Sequence, residues 1–272
     1  MKLGVRAHDY GKYRIHDLAQ LLAERGYHCC QLALPKAFLE IDSYEDISLP
    51  LLEKIRREFE EAKIEISVFG AYMDLGNPDE QIRAKAVKTF CQCLEWNQVL
   101  GAGLVGSETA YPHLSAEEKR IWKPCMLESV RQIVEAANRY GQKAAIEPVY
   151  WHPLENVDRV RELLETIQDP EHFKIIFDAS NLLEFPNQTD QKLYWKDWLD
   201  LVGPYVEAMH IKDFVLDERG QYQGCLIGQG VIDYRPIADW YRAQERDIPL
   251  LREEMQPAND RRDLSSMWSI FG

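Results

Sequence analysis

Eight times along this chain a short run of β-branched and aliphatic residues gives way to a segment with helical spacing, and no low-complexity linker interrupts the alternation. The strand-type runs are residues 2–7, 27–34, 65–71, 103–107, 143–147, 174–178, 206–211 and 249–253. Helical patterns occupy 16–25, 50–62, 79–100, 116–140, 155–167, 194–201 and 234–244. The strand runs are apolar without a polar alternate, as strands are when helices cover both faces of a parallel sheet. Eight strands, each followed by a helix or helical turn, predict an α/β fold: a (β/α)8 TIM barrel forming a single domain over residues 1–272. An open doubly wound sheet is the rival, but no GxGxxG follows any strand run to support a dinucleotide crevice. Local punctuation agrees with these boundaries. Ser115 with Glu118 fits a capping box, and Gly26, Gly101 and Gly141 stand where three helices should stop.

Four of the strand runs end on a group that is costly to bury alone. These are 144–148 (AAIEP), 175–181 (IIFDASN), 206–214 (VEAMHIKDF) and 249–255 (PLLREEM), which carry Glu147, Asp178, His210 and either Glu253 or Glu254. In a barrel all four strand ends face the same mouth, the end at which active sites form. Three carboxylates and an imidazole converging there suit one hard-to-borderline divalent cation. A metalloenzyme is therefore expected.

Further polar residues stand at the same rim. Lys212 lies two residues beyond His210 and so shares its face of the strand, pointing either at a substrate oxygen or out to solvent. Glu108 ends the fourth strand and His152 follows Glu147 in the next loop; both are candidate substrate contacts, with a salt bridge and a solvated loop residue as the plain alternatives. His8 and Arg6, near the first strand, carry the same two readings. Asp213 could orient a ligand or cap the following turn. Gly228 and Gly230 read as a turn needing positive φ, or as backbone N–H groups aimed at a ligand. Tyr194, Trp195 and Trp198 fall at helical spacing and are expected to pack, leaving Tyr72 and Trp151 as candidate aromatic walls. His16, His28, His113 and His172 read as structural or surface residues.

Composition narrows the partners. A net charge of −13 opposes contact with a polyanion, so no nucleic-acid partner is expected. No apolar run is long enough to cross a membrane, the N-terminal residues lack a signal-peptide core, and a cytoplasmic location is expected. The six cysteines include no CxxC pair and read as reduced packing residues.

Several motifs taken in order resemble the xylose isomerase-like superfamily of TIM barrels, in its sugar phosphate isomerase/epimerase group. They are VFGAYMDL, LVGSET, IEP, FDASNLL, MHIKDF, and GQGVIDY leading to REEM. Members of that superfamily include D-tagatose 3-epimerase, ribulose-phosphate 3-epimerases, inosose dehydratase and AP endonucleases. The resemblance implies one divalent metal ion (Mn, Mg, Co or Zn) held by Glu147, Asp178, His210 and an acid of the 252–254 step. Counting on from Gly230 places Glu253 where the ligand of the family this chain resembles usually falls, and alternation along the strand agrees by placing Leu251 inward and Arg252 outward. Asn181 departs from the histidine that several branches carry there. It can still bond a sugar hydroxyl, but it argues against a multi-zinc site.

The implied activity is isomerisation or epimerisation of a small keto-sugar or sugar phosphate. Glu147 and Glu253 would be the catalytic acid–base pair, removing an α-proton to form an enediolate. Glu108, His152, Asn181 and Lys212 would bind substrate. The alternative is an inosose-type dehydratase using the same metal site; an AP endonuclease and a non-catalytic sugar-binding barrel are more remote. The expected partner is a small sugar or polyol, with a homo-oligomer possible in principle.

Overall fold

A computed structural model of the protein describes residues 1–184 and 190–272. Its strands are β1 (Leu3–Arg6), β2 (Cys29–Leu32), β3 (Glu65–Gly70), β4 (Leu104–Ser107), β5 (Ala144–Ile146), β6 (Phe173–Asp178), β7 (Val206–Ile211), β8 (Asp213–Leu216), β9 (Tyr222–Cys225) and β10 (Leu250–Arg252). Eight of these close a parallel barrel in the order β1-β10-β7-β6-β5-β4-β3-β2. Each expected strand is present, its ends within two residues of the sequence boundaries. β8 and β9 instead form an antiparallel hairpin set off from the barrel.

Two apolar layers hold the barrel together. Inside it, Cys29, Val68, Leu104, Ala145, Ile176, Ala208 and Leu251 pack against one another, all buried. The first strand contributes Gly4 here: a Cβ at this position would come within 2.5 Å of the Cys29 carbonyl oxygen and 2.7 Å of Leu251. Outside the barrel, the long helices Glu80–Leu100 and Ala116–Tyr140 turn inward the faces that carry Val87, Phe90 and Leu94, and Met126, Val130 and Ile133. These residues recur three or four apart, the spacing of a single helical stripe. Trp195 and Trp198 are fully buried in this outer layer, packing as expected.

Caps fix where these helices begin and end. The Asp79 side chain accepts from the backbone N–H groups of Gln81 and Ile82, and Ser115 and Glu118 form the expected capping box. Gly26, Gly101 and Gly141 all take left-handed conformations at helix ends. All six cysteines are free. A further helix, Asp260–Phe271, follows β10. Among the described residues no helix is long and apolar enough to cross a membrane.

Candidate metal centre

Four strands bring their polar ends to one point. Asp178 is the last residue of β6 and His210 the last but one of β7, while Glu147 and Glu253 immediately follow β5 and β10. One ligand atom from each of the four lies within 4.8 Å of every other, and all four side chains are buried. The register of β10 decides between the two neighbouring acids. Leu251 points into the barrel, and Arg252 points outward to pair with Asp263 at 2.9 Å, so Glu253 returns to the inside. Glu254 lies beyond the strand with φ of 54°, and its Oε2 accepts from the Tyr222 hydroxyl of the hairpin at 2.8 Å.

The cluster is wired asymmetrically. Glu147 Oε1 accepts from the Asn181 amide at 2.6 Å, and its Oε2 lies 3.0 Å from His210 Nδ1. Asp178 Oδ1 accepts from the backbone N–H groups of Ser180 and Asn181. Its Oδ2 is 3.3 Å from the Lys212 ammonium, close enough to pair electrostatically but not aligned to hydrogen-bond. Glu253 is gripped from both sides, by Arg6 at 2.7 Å on Oε1 and by Lys212 at 2.8 Å on Oε2.

Protonation follows from these contacts. Burial pushes the Glu253 carboxyl up, but Lys212, His210 and Arg6 together overcome it and hold the group well below the usual carboxylate range. Burial dominates at Asp178 and raises it to about 7 despite Lys212. Burial alone would lower His210, yet the charges of Glu253 and Glu147 outweigh it and raise the imidazole to about 9. Two of the ligand-type atoms, His210 Nδ1 and Asp178 Oδ2, are buried with charged neighbours at 3.0 and 3.3 Å but no aligned hydrogen bond. Orphaned buried polar atoms of this kind call for a partner. A cation bound by two such atoms and two carboxylates would satisfy both, so the donor set fits a divalent ion.

The other sequence candidates divide. Lys212 points inward, buried, and contacts Asp178, Glu253 and Glu254. Asn181 also belongs to the cluster, through Glu147. Glu108 lies at the rim, where burial and the charges of Glu147 and Glu253 raise its carboxyl to about 8. His152 is fully buried rather than solvated, and neither ring nitrogen has a hydrogen-bond partner; Glu108 approaches Nδ1 only to 3.7 Å. Burial lowers this imidazole to about 3, so it is neutral.

Asp213 organises the loop after the hairpin, accepting from the backbone N–H groups of Phe214, Gly228, Gly230 and Ile232. Gly228 has the positive φ expected of it. Gly230 is required for another reason, since a Cβ there would lie 2.0 Å from Asp213 Oδ1. Trp151 stacks on His113 and with it lines a cavity of about 380 Å³ that contains none of the four donors.

Sequence reasoning missed Gln31. This residue, buried on β2, accepts through Oε1 from His210 Nε2 at 2.6 Å and donates through Nε2 to the Tyr72 hydroxyl at 2.6 Å. Its signal was a polar residue inside the otherwise largely apolar run of 27–34, but an amide is neither an acid nor an imidazole.

Eight parallel strands closed around an apolar interior, with a buried acid–histidine cluster at their C-terminal ends, define a TIM barrel. The chain belongs to the xylose isomerase-like TIM barrel family, whose model matches residues 19–258. No curated protein sequence matches it. Solved structures that share the fold include a D-psicose 3-epimerase crystallised in the presence of D-fructose, 14% identical, with TM-score 0.77 and 100% of each chain covered. A 3-keto-D-glucoside 4-epimerase from E. coli is 17% identical with TM-score 0.75, covering 99% of each chain. The IOLI protein with a bound zinc atom is 16% identical with TM-score 0.75, covering 100% of this chain and 98% of its own.

Proposed function

We propose that the protein is a divalent-metal-dependent isomerase or epimerase acting on a small keto-sugar or sugar phosphate. The observation that carries this reading is the pair of buried carboxylates, Glu147 and Glu253. They reach the donor cluster from strands separated by β6 and β7, and would address a bound substrate from different sides. The sugar epimerases that share this fold support the substrate class, and the zinc in the IOLI protein supports the cofactor.

Glu147, Asp178, His210 and Glu253 would hold the ion. When bound, it supplies positive charge beside a substrate carbonyl and so stabilises the negative charge that develops as the neighbouring C–H bond breaks. Glu253 would be the base that takes the α-proton; Lys212 and Arg6 keep it ionised but lower its basicity, so substrate binding must loosen their grip. Glu147 faces the other side, where a proton delivered to the same carbon inverts it. Return of the proton by one base to the adjacent carbon gives isomerisation instead. Asn181 and Lys212 would bind substrate hydroxyls. Neutral His152 has two free ring nitrogens for the same purpose. Tyr72 accepts from Gln31, which leaves its phenolic proton for a substrate oxygen.

One observation favours a second reading, an inosose-type dehydratase. Glu108, raised to about 8, carries a proton at neutral pH at the rim of the site, as protonation of a leaving hydroxyl would require. Both readings begin with removal of an α-proton. The test is to incubate metal-loaded protein with a panel of ketoses, ketose phosphates and inososes in deuterated water. The proposal expects deuterium at one carbon of the substrate or product, or a primary isotope effect at that carbon where two shielded bases hide exchange. Turnover with neither would refute it.

A further inference from the structure

We propose that Gln31 is a positioning residue that fixes the tautomer of His210, keeping the proton on Nε2 so that Nδ1 is free to ligate. The inference rests on the reading of the four-donor cluster as a cation site, and deepens it by assigning a residue outside the cluster.

The two ring nitrogens of His210 face different neighbours. Nδ1 looks into the cluster, 3.0 Å from Glu147 Oε2 and 3.8 Å from Glu253 Oε1, with no hydrogen-bond partner. Nε2 looks away from it, 2.6 Å from Gln31 Oε1. A neutral imidazole carries one N–H, and the nitrogen that binds a cation must be the other one. Ligation through Nδ1 therefore needs Nε2 protonated and an acceptor waiting for it. The Gln31 carbonyl is that acceptor, reaching across from β2 to β7.

A glutamine could defeat this purpose by rotating its amide, which would offer an N–H to Nε2 and drive the proton to Nδ1. Tyr72 fits either polarity, since a phenol hydroxyl can donate or accept, and with a cation on Nδ1 the proton on Nε2 selects the one in which Gln31 accepts. The Tyr72 hydroxyl oxygen then accepts from Gln31 Nε2 at 2.6 Å, and its ring is itself held, edge-on to His8 with centroids 5.9 Å apart and with Lys36 Nζ 4.0 Å over its face. Gln31 is 2% exposed, so water does not compete for either end of the amide. Buried, doubly bonded and anchored, it has one polarity that serves the cluster. Partners of this kind orient a ligating histidine, and their loss typically weakens metal binding by about 10–100-fold.

The test uses the full chain stripped of metal with a chelator and titrated with Zn²⁺ by calorimetry, together with nitrogen NMR of the His210 ring in the Zn²⁺-loaded state. Gln31→Leu removes the acceptor and should weaken Zn²⁺ by about 10–100-fold. Gln31→Glu, isosteric and able only to accept, should restore the affinity to the wild-type value or above, and the ring spectra separate an acceptor role from restored packing. In wild type and Gln31→Glu the spectra should show Nε2 protonated and Nδ1 shifted by the metal. Wild-type Zn²⁺ affinity in Gln31→Leu, failure of Gln31→Glu to rescue, or a metal-shifted Nε2 would each overturn the proposal. None of these readouts depends on turnover, so an inactive sugar panel would count against the proposed reaction and leave this result standing.

Discussion

Replacing Lys212 by methionine should weaken the metal-free protein and tighten its hold on a divalent cation. The ammonium is 4% exposed and sits 2.8 Å from Glu253, 3.1 Å from Glu254 and 3.3 Å from Asp178. Methionine keeps most of the volume but leaves buried carboxylates without their counter-charge. Removing one partner of a buried ion pair typically costs ~3–5 kcal/mol, because the remaining charge stays desolvated. The same lysine repels any cation placed among the four donors. Two unit charges 4 Å apart interact by ~4 kcal/mol at an effective dielectric of ~20, and the ion carries two. After relaxation and screening, the variant should still bind Mn²⁺ at least ~10-fold more tightly, equivalent to ~1.4 kcal/mol. Urea denaturation with and without saturating Mn²⁺, alongside calorimetric titration, measures both effects. Saturating metal should recover more stability in the variant than in wild type. A variant that loses stability while binding Mn²⁺ no more tightly would refute the placement of Lys212 beside the cation.

Three further expectations rest on the same geometry. Glu147→Gln and Glu253→Gln preserve shape but remove the basic oxygen, so each should lower kcat by at least ~10²-fold, with the fold intact by circular dichroism. Metal binding should release protons: with Asp178 raised to about 7 and His210 to about 9, ligation displaces close to two protons below pH 7 and one between pH 7 and 9, so affinity climbs with pH and levels off above about 9. Stability of the metal-free protein should run the other way. The contribution of His210 is full below its unfolded value near 6.5 and is lost as pH rises through about 9, which pH-dependent denaturation in chelator will measure.

The barrel and the convergence of Glu147, Asp178, His210 and Glu253 at its mouth were legible because both depend on local pattern. A run such as AAIEP or IIFDASN announces a strand buried on both faces, and the acid at its end has only the barrel mouth to occupy. Glu253 could be separated from Glu254 because alternation along 250–252 sets which face each side chain takes. The roles of Gln31 and Arg6 were not legible in the same way, since both are pairings between residues far apart in sequence, Gln31 with His210 across the barrel and Arg6 with Glu253 at the end of the neighbouring strand. The β8–β9 hairpin escaped for another reason. Its strands are half polar, with Val215 and residues 222–224 exposed, and only Lys212 separates MHI from DFVL, so β7 and β8 look continuous until Asp213 turns to bind the loop at Gly228 and Gly230. Lys212 was left open between site and solvent, and only the packing around it shows that it is buried.

The central claim is that one divalent ion binds at the mouth of the barrel through Glu147, Asp178, His210 and Glu253. Anomalous diffraction from crystals grown with Mn²⁺ tests it most directly. The account predicts one strong peak within bonding distance of all four side chains, with His210 ligating through Nδ1. A peak elsewhere, or one bound by Glu254 in place of Glu253, would contradict it.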